Sequence, residues 1–204
     1  MKRLWVGITR ALSLASLLVA ALVPAVSASR GVPGSPEFGI GVSLNADASN
    51  AEEAIALTAD LRPDWVSIAV NWAALAPEPG VAPDWTRLDA AVQRAHGAGT
   101  SVMLAISQPP AWAVTPNGPE ITAVVGLTAE AATRYANAVE AIELFPSPNT
   151  TSGWGAAPNP VDYLNLYKAV NNQLIGAHHP LLLVAGGLDT SPSPDDAAAW
   201  NDLD

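Results

Sequence analysis

Five apolar runs, each followed by a turn-rich segment and then by a helical pattern, constrain the fold of this chain more than any other feature. The runs are rich in Val, Ile, Leu and Ala and lie at 39–44, 65–70, 100–107, 139–145 and 181–185. Strands that are apolar along their whole length are typical of parallel sheets covered on both faces. The sequence therefore predicts an α/β fold with about five parallel strands alternating with helices.

Capping residues and helical periodicity predict a helix after each run. The expected helix starts are Asn50, Asp84, Pro119, Asn159 and Asp195. Two architectures accommodate five such units: a doubly wound sheet, or the first five units of a (β/α)₈ barrel.

Length favours the doubly wound sheet, because a full barrel takes roughly 250 residues and this chain has 204. The loops favour the barrel, because the segments after the strands are long and rich in Trp and Pro, as at the active end of a barrel. The segment 45–49 also lacks the Gly-rich phosphate turn of a doubly wound nucleotide binder. We therefore predict an incomplete TIM-barrel-like domain over 39–204, with the doubly wound sheet as the alternative.

The first 28 residues have the pattern of a secretory signal peptide. Lys2 and Arg3 precede an apolar stretch at 12–23, and Val26-Ser27-Ala28 is a small-residue cleavage signal. Residues 29–38, rich in Pro, Gly and Ser, are predicted to form a linker. We expect a secreted protein without a stable membrane span after cleavage, and an uncleaved signal anchor is the alternative.

Charge and composition exclude several classes of partner. Beyond residue 30 the chain keeps five basic residues against all 19 acids, a net charge of −14. A domain this acidic repels phosphate backbones, so we expect no nucleic-acid partner. The chain has no cysteine, and its three histidines lack metal-ligand spacing. We therefore predict no disulfide, no metal and no cofactor.

Four segments together resemble the retaining glycoside hydrolases of the large (β/α)₈ clan, which includes the family 5 cellulase-like and family 39 xylosidase-like enzymes. The segments are WVSIAVNW at 65–72, PEPG at 77–80, PPAW at 109–112 and ELFPSPN at 143–149. The last one is similar to the fourth-strand motif E-I-W-N-E-P-N of that clan. The resemblance covers roughly Gly39 to the C-terminus and implies a glycosidase-like barrel.

The resemblance also implies that the catalytic groups are missing. Pro146 and Ser147 stand where the clan has Asn and the acid/base Glu, and Ser67 stands where an Arg is common. The nucleophile belongs to a seventh strand, and this sequence contains five. Glu143 precedes Ser147 by four residues, which puts it roughly 13 Å deeper along the strand. We expect it to be paired there, or to point out at the strand's base, and we assign no catalytic residue.

Side chains at the predicted strand ends are candidates for sugar contact, because indole faces stack on sugar rings and amides bond their hydroxyls. The candidates are Asn71, Trp72, Trp112, Ser147, Asn149 and Trp154. For the Trp residues the alternative is that they cap the core, and for the Asn residues that they form turns.

We therefore predict a glycoside hydrolase-like protein that acts on or binds carbohydrate and is inactive as the isolated chain. The alternatives are a non-catalytic carbohydrate-binding or scaffold protein, and a doubly wound domain with an unrelated ligand. Five strands leave two sheet edges open, so we also expect self-association.

Overall fold

The computed structural model describes residues 39–44, 56, 60–61 and 63–201, with the backbone alone for 39–44. The predicted signal peptide, the predicted linker and the expected helix start at Asn50 lie outside the described residues. The strands are β1 (Gly39–Leu44), β2 (Trp65–Asn71), β3 (Ser101–Ser107), β4 (Val114–Thr115), β5 (Gly118–Pro119), β6 (Ala141–Leu144) and β7 (Leu182–Ala185). The helices are α1 (Trp72–Leu75), α2 (Thr86–Gly97), α3 (Ile121–Arg134), α4 (Thr151–Trp154), α5 (Pro160–Gly176) and α6 (Pro194–Asn201).

Five of these strands form one parallel sheet in the order β1-β2-β3-β6-β7. Each strand lies beside the strand of the preceding βα unit, as in a barrel, whereas a doubly wound sheet reverses its order at a switch point. The predicted incomplete TIM-barrel-like arrangement is confirmed. β4 and β5 form a separate antiparallel pair in the loop after β3.

The two faces of the sheet differ sharply. Val66, Ile68, Leu104, Ile142 and Leu144 are fully or almost fully buried on the outer face, where they join the apolar residues of α2, α3 and α5 in one core. The alternate residues of the strands form the inner face, which would line a barrel. They include several small or polar side chains and are mostly only partly buried.

Two helix starts follow the predicted chemistry. Asn159 caps α5 and accepts hydrogen bonds from the backbone N–H groups of Val161 and Asp162, with Pro160 as the first helical residue. The Asp84 carboxylate accepts from the backbone N–H of Thr86, at the first residue of α2. These short polar side chains satisfy donors that the first turn of a helix leaves unpaired.

Pro119 was expected at the start of the third helix, and that expectation is wrong. Pro119 ends the β4–β5 pair, and Glu120 caps α3 by accepting from the Ala123 N–H at 2.6 Å. The last helix begins at Pro194, one residue before the expected Asp195. Among the described residues no helix is long and apolar enough to cross a bilayer.

Candidate functional site

The carboxyl ends of the parallel strands meet at one edge of the sheet, and the segments that follow them form what we call the rim. The rim comprises residues 72–85, 108–120, 145–159 and 186–193, which follow β2, β3, β6 and β7. In folds built from βα units this edge carries the functional groups. Every candidate named from the sequence lies on it or, for Asn71, on the strand residue next to it.

The end of β6 is held in an unusual backbone conformation. Phe145 and Ser147 have φ values of 51° and 61°, in the left-handed region that costs a residue with a side chain roughly 1–2 kcal/mol. Hydrogen bonds fix this turn: the Ser147 N–H donates to the Gly187 carbonyl at 2.7 Å, and Thr150 donates to the Ser147 carbonyl through both its N–H and its hydroxyl. Strain of this kind is concentrated at functional sites.

Asn149 joins the β6 loop to the β7 loop. Its Nδ2 donates to the Asp189 carbonyl at 2.9 Å, and its Oδ1 accepts from the Asp189 N–H at 2.8 Å. The side chain is 5% exposed. Both polar atoms of the amide therefore have protein partners, and Asn149 acts as a clamp between two rim loops.

Tyr163 of α5 strengthens the same junction. Its hydroxyl accepts from the Gly186 N–H at 2.6 Å and donates to the Leu144 carbonyl at 3.1 Å. Burial raises the pKa of Tyr163, so the phenol keeps its proton and its donor role. Gly186 has no room for a side chain, because an added Cβ would lie 2.1 Å from the Phe145 carbonyl oxygen.

The three candidate Trp residues occupy different environments. Trp72 is almost fully buried, and Trp112 contacts it edge-on at 5.7 Å between ring centroids. Trp112 itself is 38% exposed, and its indole N–H donates to the Ala76 carbonyl at 3.0 Å. Trp112 is therefore an anchored aromatic side chain with free surface on the rim.

Trp154 has no exposed surface and packs against Phe145 and Tyr163. Its indole nitrogen has no hydrogen-bond partner among the described residues. Gly118 lies so close that an added Cβ would be 2.1–2.4 Å from the ring. Trp154 therefore belongs to a rim segment, but its side chain packs in the core.

Asn71 and Ser107 end two adjacent strands and are partners in the β2–β3 register. The Asn71 Oδ1 caps α1 by accepting from the Ala74 N–H at 3.0 Å, and the Ser107 hydroxyl lies 3.4 Å from the Val70 carbonyl. Both side chains are partly exposed. Ser107 was not among the sequence candidates, although strict alternation along the third apolar run would have put it on the face of Asn71.

Glu143 lies on the inner face and reaches the rim. Its Oε1 accepts from the Gly187 N–H at 3.2 Å, in the loop after β7. The expected inner-face position and pairing of this carboxyl group are found, but its partner lies at the rim and not deep along the strand. Among the described strand residues, Glu143 is the one ionisable side chain on the inner face.

The rim is acidic and carries no Lys, Arg or His in its four segments. Its acids are Glu78, Asp84, Glu120 and Asp189. Hydrogen bonds from the side chain and backbone of Thr86 hold the pKa of Asp84 below its usual value, and the Ala123 N–H does the same for Glu120. Both stay ionised near neutral pH, so the rim presents negative charge to a ligand.

The geometry limits the chemistry. Retaining hydrolysis needs two carboxyl groups about 5–5.5 Å apart, and the turn at the end of β6 presents the hydroxyl of Ser147 rather than a carboxyl group. Within the described residues no group of three or more His, Asp or Glu side chains is placed to hold a metal ion. The arrangement offers hydrogen-bonding groups and an exposed indole to a polar ligand.

Solved structures with this architecture identify the fold. A family 39 glycoside hydrolase from the gut symbiont Bacteroides cellulosilyticus superposes with a TM-score of 0.56 and 21% identity, over 72% of this chain and 31% of that chain. The fold is glycoside-hydrolase-like. A GH39 β-xylosidase from Caulobacter crescentus gives a TM-score of 0.58 at 13% identity, over 72% of this chain and 39% of that one.

The endoglucanase Cel5A from the hyperthermophilic Thermotoga maritima gives 0.55 at 15% identity, over 75% of this chain and 51% of that one. The glycoside-hydrolase-like chain thus spans between about a third and a half of the lengths of these three proteins. No family model matches the sequence, and no protein with a curated description matches it.

Proposed function

We propose that this chain is a carbohydrate-binding, glycoside-hydrolase-like protein that does not hydrolyse glycosides by itself. The observation that carries the proposal is Ser147, held in a left-handed turn at the end of β6, at the place where the resembled motif carries its acid. A Ser hydroxyl holds its proton too tightly to protonate a leaving oxygen near neutral pH, and general acid catalysis contributes roughly 10²–10⁴ in rate.

Support for binding comes from the rim. Trp112 offers indole surface with its N–H already bonded, which suits stacking on the C–H face of a sugar. Asn71 and Ser147 are partly exposed and supply polar atoms at the ends of β2 and β6. In this proposal these three residues contact the sugar, while Trp72, Asn149 and Trp154 hold the rim in shape beneath them.

Measuring oligosaccharide binding and glycoside turnover on the same protein distinguishes the proposal from a catalytic function. The mature chain, from residue 29, is titrated with neutral oligosaccharides of glucose, xylose and mannose while binding heat is recorded, and aryl-glycosides are assayed in parallel. We expect binding without turnover. The absence of binding to every oligosaccharide would refute the proposal, and turnover lost on changing a rim carboxylate would refute the catalytic deficiency.

A variant at Trp112 locates the binding surface. Trp112→Ala is expected to weaken binding by several-fold to about tenfold, because an aromatic contact contributes roughly 0.5–1.5 kcal/mol beyond the area that it buries. Ile121→Ala is the matched control, since Ile121 is 39% exposed, against 38% for Trp112, and lies outside the rim. Equal effects of the two changes would contradict the placement of the sugar at Trp112.

Within this proposal the protein acts outside the cytoplasm. The motivating observation is the signal-peptide pattern of residues 1–28. N-terminal sequencing of the protein recovered from the medium of an expressing cell is expected to begin at Ser29, and an intact Met1 on a membrane-bound protein would favour the anchor instead.

A further inference from the structure

Glu143 has one carboxylate oxygen engaged and one available. Oε1 accepts from the Gly187 N–H at 3.2 Å, and no donor lies against Oε2 among the described residues. The Gly187 carbonyl in turn accepts from the Ser147 N–H. The carboxylate is thereby fixed, through one residue of the β7 loop, to the turn that carries Ser147.

The neighbours of Glu143 on the inner face leave it accessible from the open side of the sheet. The β-sheet register puts it level with Ala69, Ala105 and Val184 on the adjacent strands. These side chains are small and none of them carries a charge. Glu143 is itself only partly buried, so a ligand above the sheet can reach its free oxygen.

Among the described residues, no Lys or Arg belongs to the inner face or to the rim around Glu143. The described Lys and Arg side chains are Arg87, Arg94, Arg134 and Lys168, and all belong to helices α2, α3 and α5 on the outer face. The acids of the rim add to the charge of Glu143, so an anionic ligand meets repulsion both from the rim and from the inner face.

We infer that Glu143 is a sugar-contacting carboxylate, and that it makes the site accept neutral sugars and reject uronic acids. The inference rests on the proposed carbohydrate binding and adds to it a residue and a substrate class. The free Oε2 accepts a sugar hydroxyl in a charge-assisted hydrogen bond. A ligand carboxylate in the same place has no proton to donate and repels the ionised side chain.

A matched pair of ligands tests the inference. The neutral oligosaccharide that binds best is compared with the same oligosaccharide after its primary hydroxyls have been oxidised to carboxylates. The wild-type chain is expected to bind the oxidised form at least about tenfold more weakly at low salt. Because salt screens exposed charges, the difference should narrow at high ionic strength.

Glu143→Gln is the diagnostic variant. Gln keeps an oxygen for the Gly187 N–H, so the fold should persist, and a near-unchanged circular dichroism spectrum checks this. We expect less than about a tenfold loss for the neutral ligand, since an uncharged acceptor remains, and a gain of about tenfold for the oxidised ligand. Glu78→Gln removes the same charge from an exposed rim position, where salt and solvent screen it, and is expected to change the ratio of the two affinities much less than Glu143→Gln does.

Each outcome has one meaning. If Glu143→Gln binds the neutral sugar and its ratio of neutral-ligand to oxidised-ligand affinity equals that of the wild type, the role of Glu143 is overturned and carbohydrate binding stands. An equal change in Glu78→Gln also overturns it, because the charge of the whole rim would then be responsible. Failure of the wild-type chain to bind any oligosaccharide removes the proposed function itself.

Discussion

Gly118 is the residue whose replacement should disturb the region beneath the rim most. It has φ of +102°, and an added Cβ would lie 2.1–2.4 Å from the Trp154 indole, which is itself fully buried. We expect Gly118→Ala to destabilise the fold by about 3 kcal/mol, because strain from overpacking adds to the left-handed backbone penalty. Urea unfolding followed by tryptophan fluorescence measures this directly.

Gly126→Ala is the matched control. Gly126 lies in α3, is exposed, and has no atom within 4 Å of an added Cβ. Alanine in a helix interior is favoured over glycine, so this change should stabilise by roughly 0.5–1 kcal/mol. If both variants had the same stability as the parent chain, the close approach of Gly118 to Trp154 would be wrong.

Single residues also show how far sequence reasoning reaches at this site. The proposal that Ser147 replaces an acid comes from the sequence alone, because a motif position is read from its letter. The burial of Trp154 and the exposure of Trp112 are not, because both indoles follow apolar runs and differ only in what packs over them. The partner of Glu143 was not predictable for a similar reason, since Gly187 is 44 residues away.

At the scale of elements, a polar cluster joins α2 to α3. Asp89 accepts from the Arg134 guanidinium through both carboxylate oxygens and from the Tyr135 hydroxyl at 2.8 Å. The Trp85 indole N–H donates to Glu130 at 2.7 Å, and the Arg134 guanidinium lies over the Trp85 ring. The side chains of this cluster thus join the two neighbouring helices α2 and α3.

This cluster should make stability depend on pH in the acid range. Hydrogen bonding from Arg134 holds the pKa of Asp89 below its usual value, with Tyr135 contributing. The ionised Asp89 carboxylate therefore stabilises the folded protein above about pH 4, which is the pKa of Asp in the unfolded chain. This stabilisation is lost as the pH falls through the lower pKa that Asp89 has in the folded protein. We expect Asp89→Asn to destabilise by about 1 kcal/mol at pH 7, with the difference vanishing in acid.

Thermal unfolding of both proteins from pH 7 to pH 2.5 checks the sign. Glu78→Gln changes a carboxylate on an exposed rim loop and is expected to shift stability by less than about 0.5 kcal/mol at any pH. A difference between Asp89→Asn and the parent that grew on acidification would contradict the direction of the pKa shift.

The strands were predictable and the short elements were not. Continuous apolar runs identify buried parallel strands, and β2, β3, β6 and β7 agree with the predictions to within two residues. The β4–β5 pair has two residues in each strand, too few for any periodic pattern. The sequence therefore predicted Pro119 as a helix start, whereas in the structure Pro119 pairs with Val114.

At the scale of the whole molecule, the β7 edge of the described sheet is the feature from which we predict behaviour in solution. Among the described strands β7 is an edge, and the segment from Leu181 to Leu188 contains no charge. Leu182 is 61% exposed and Leu188 57%. Natural edges are commonly blunted by charge, by proline or by a bulge, and β7 has only Pro180 before it. Unprotected edges of this kind pair with other chains.

We therefore expect the mature chain to self-associate in a concentration-dependent way, as measured by sedimentation velocity. Leu182→Lys puts a charge on the β7 edge and should shift the distribution towards monomer. Leu61→Lys is the matched control, because Leu61 is 64% exposed and lies outside β7, so its replacement should leave association unchanged. A monodisperse wild-type monomer with one cooperative thermal transition would show that β7 is protected, because an accessible uncharged edge pairs as its concentration rises.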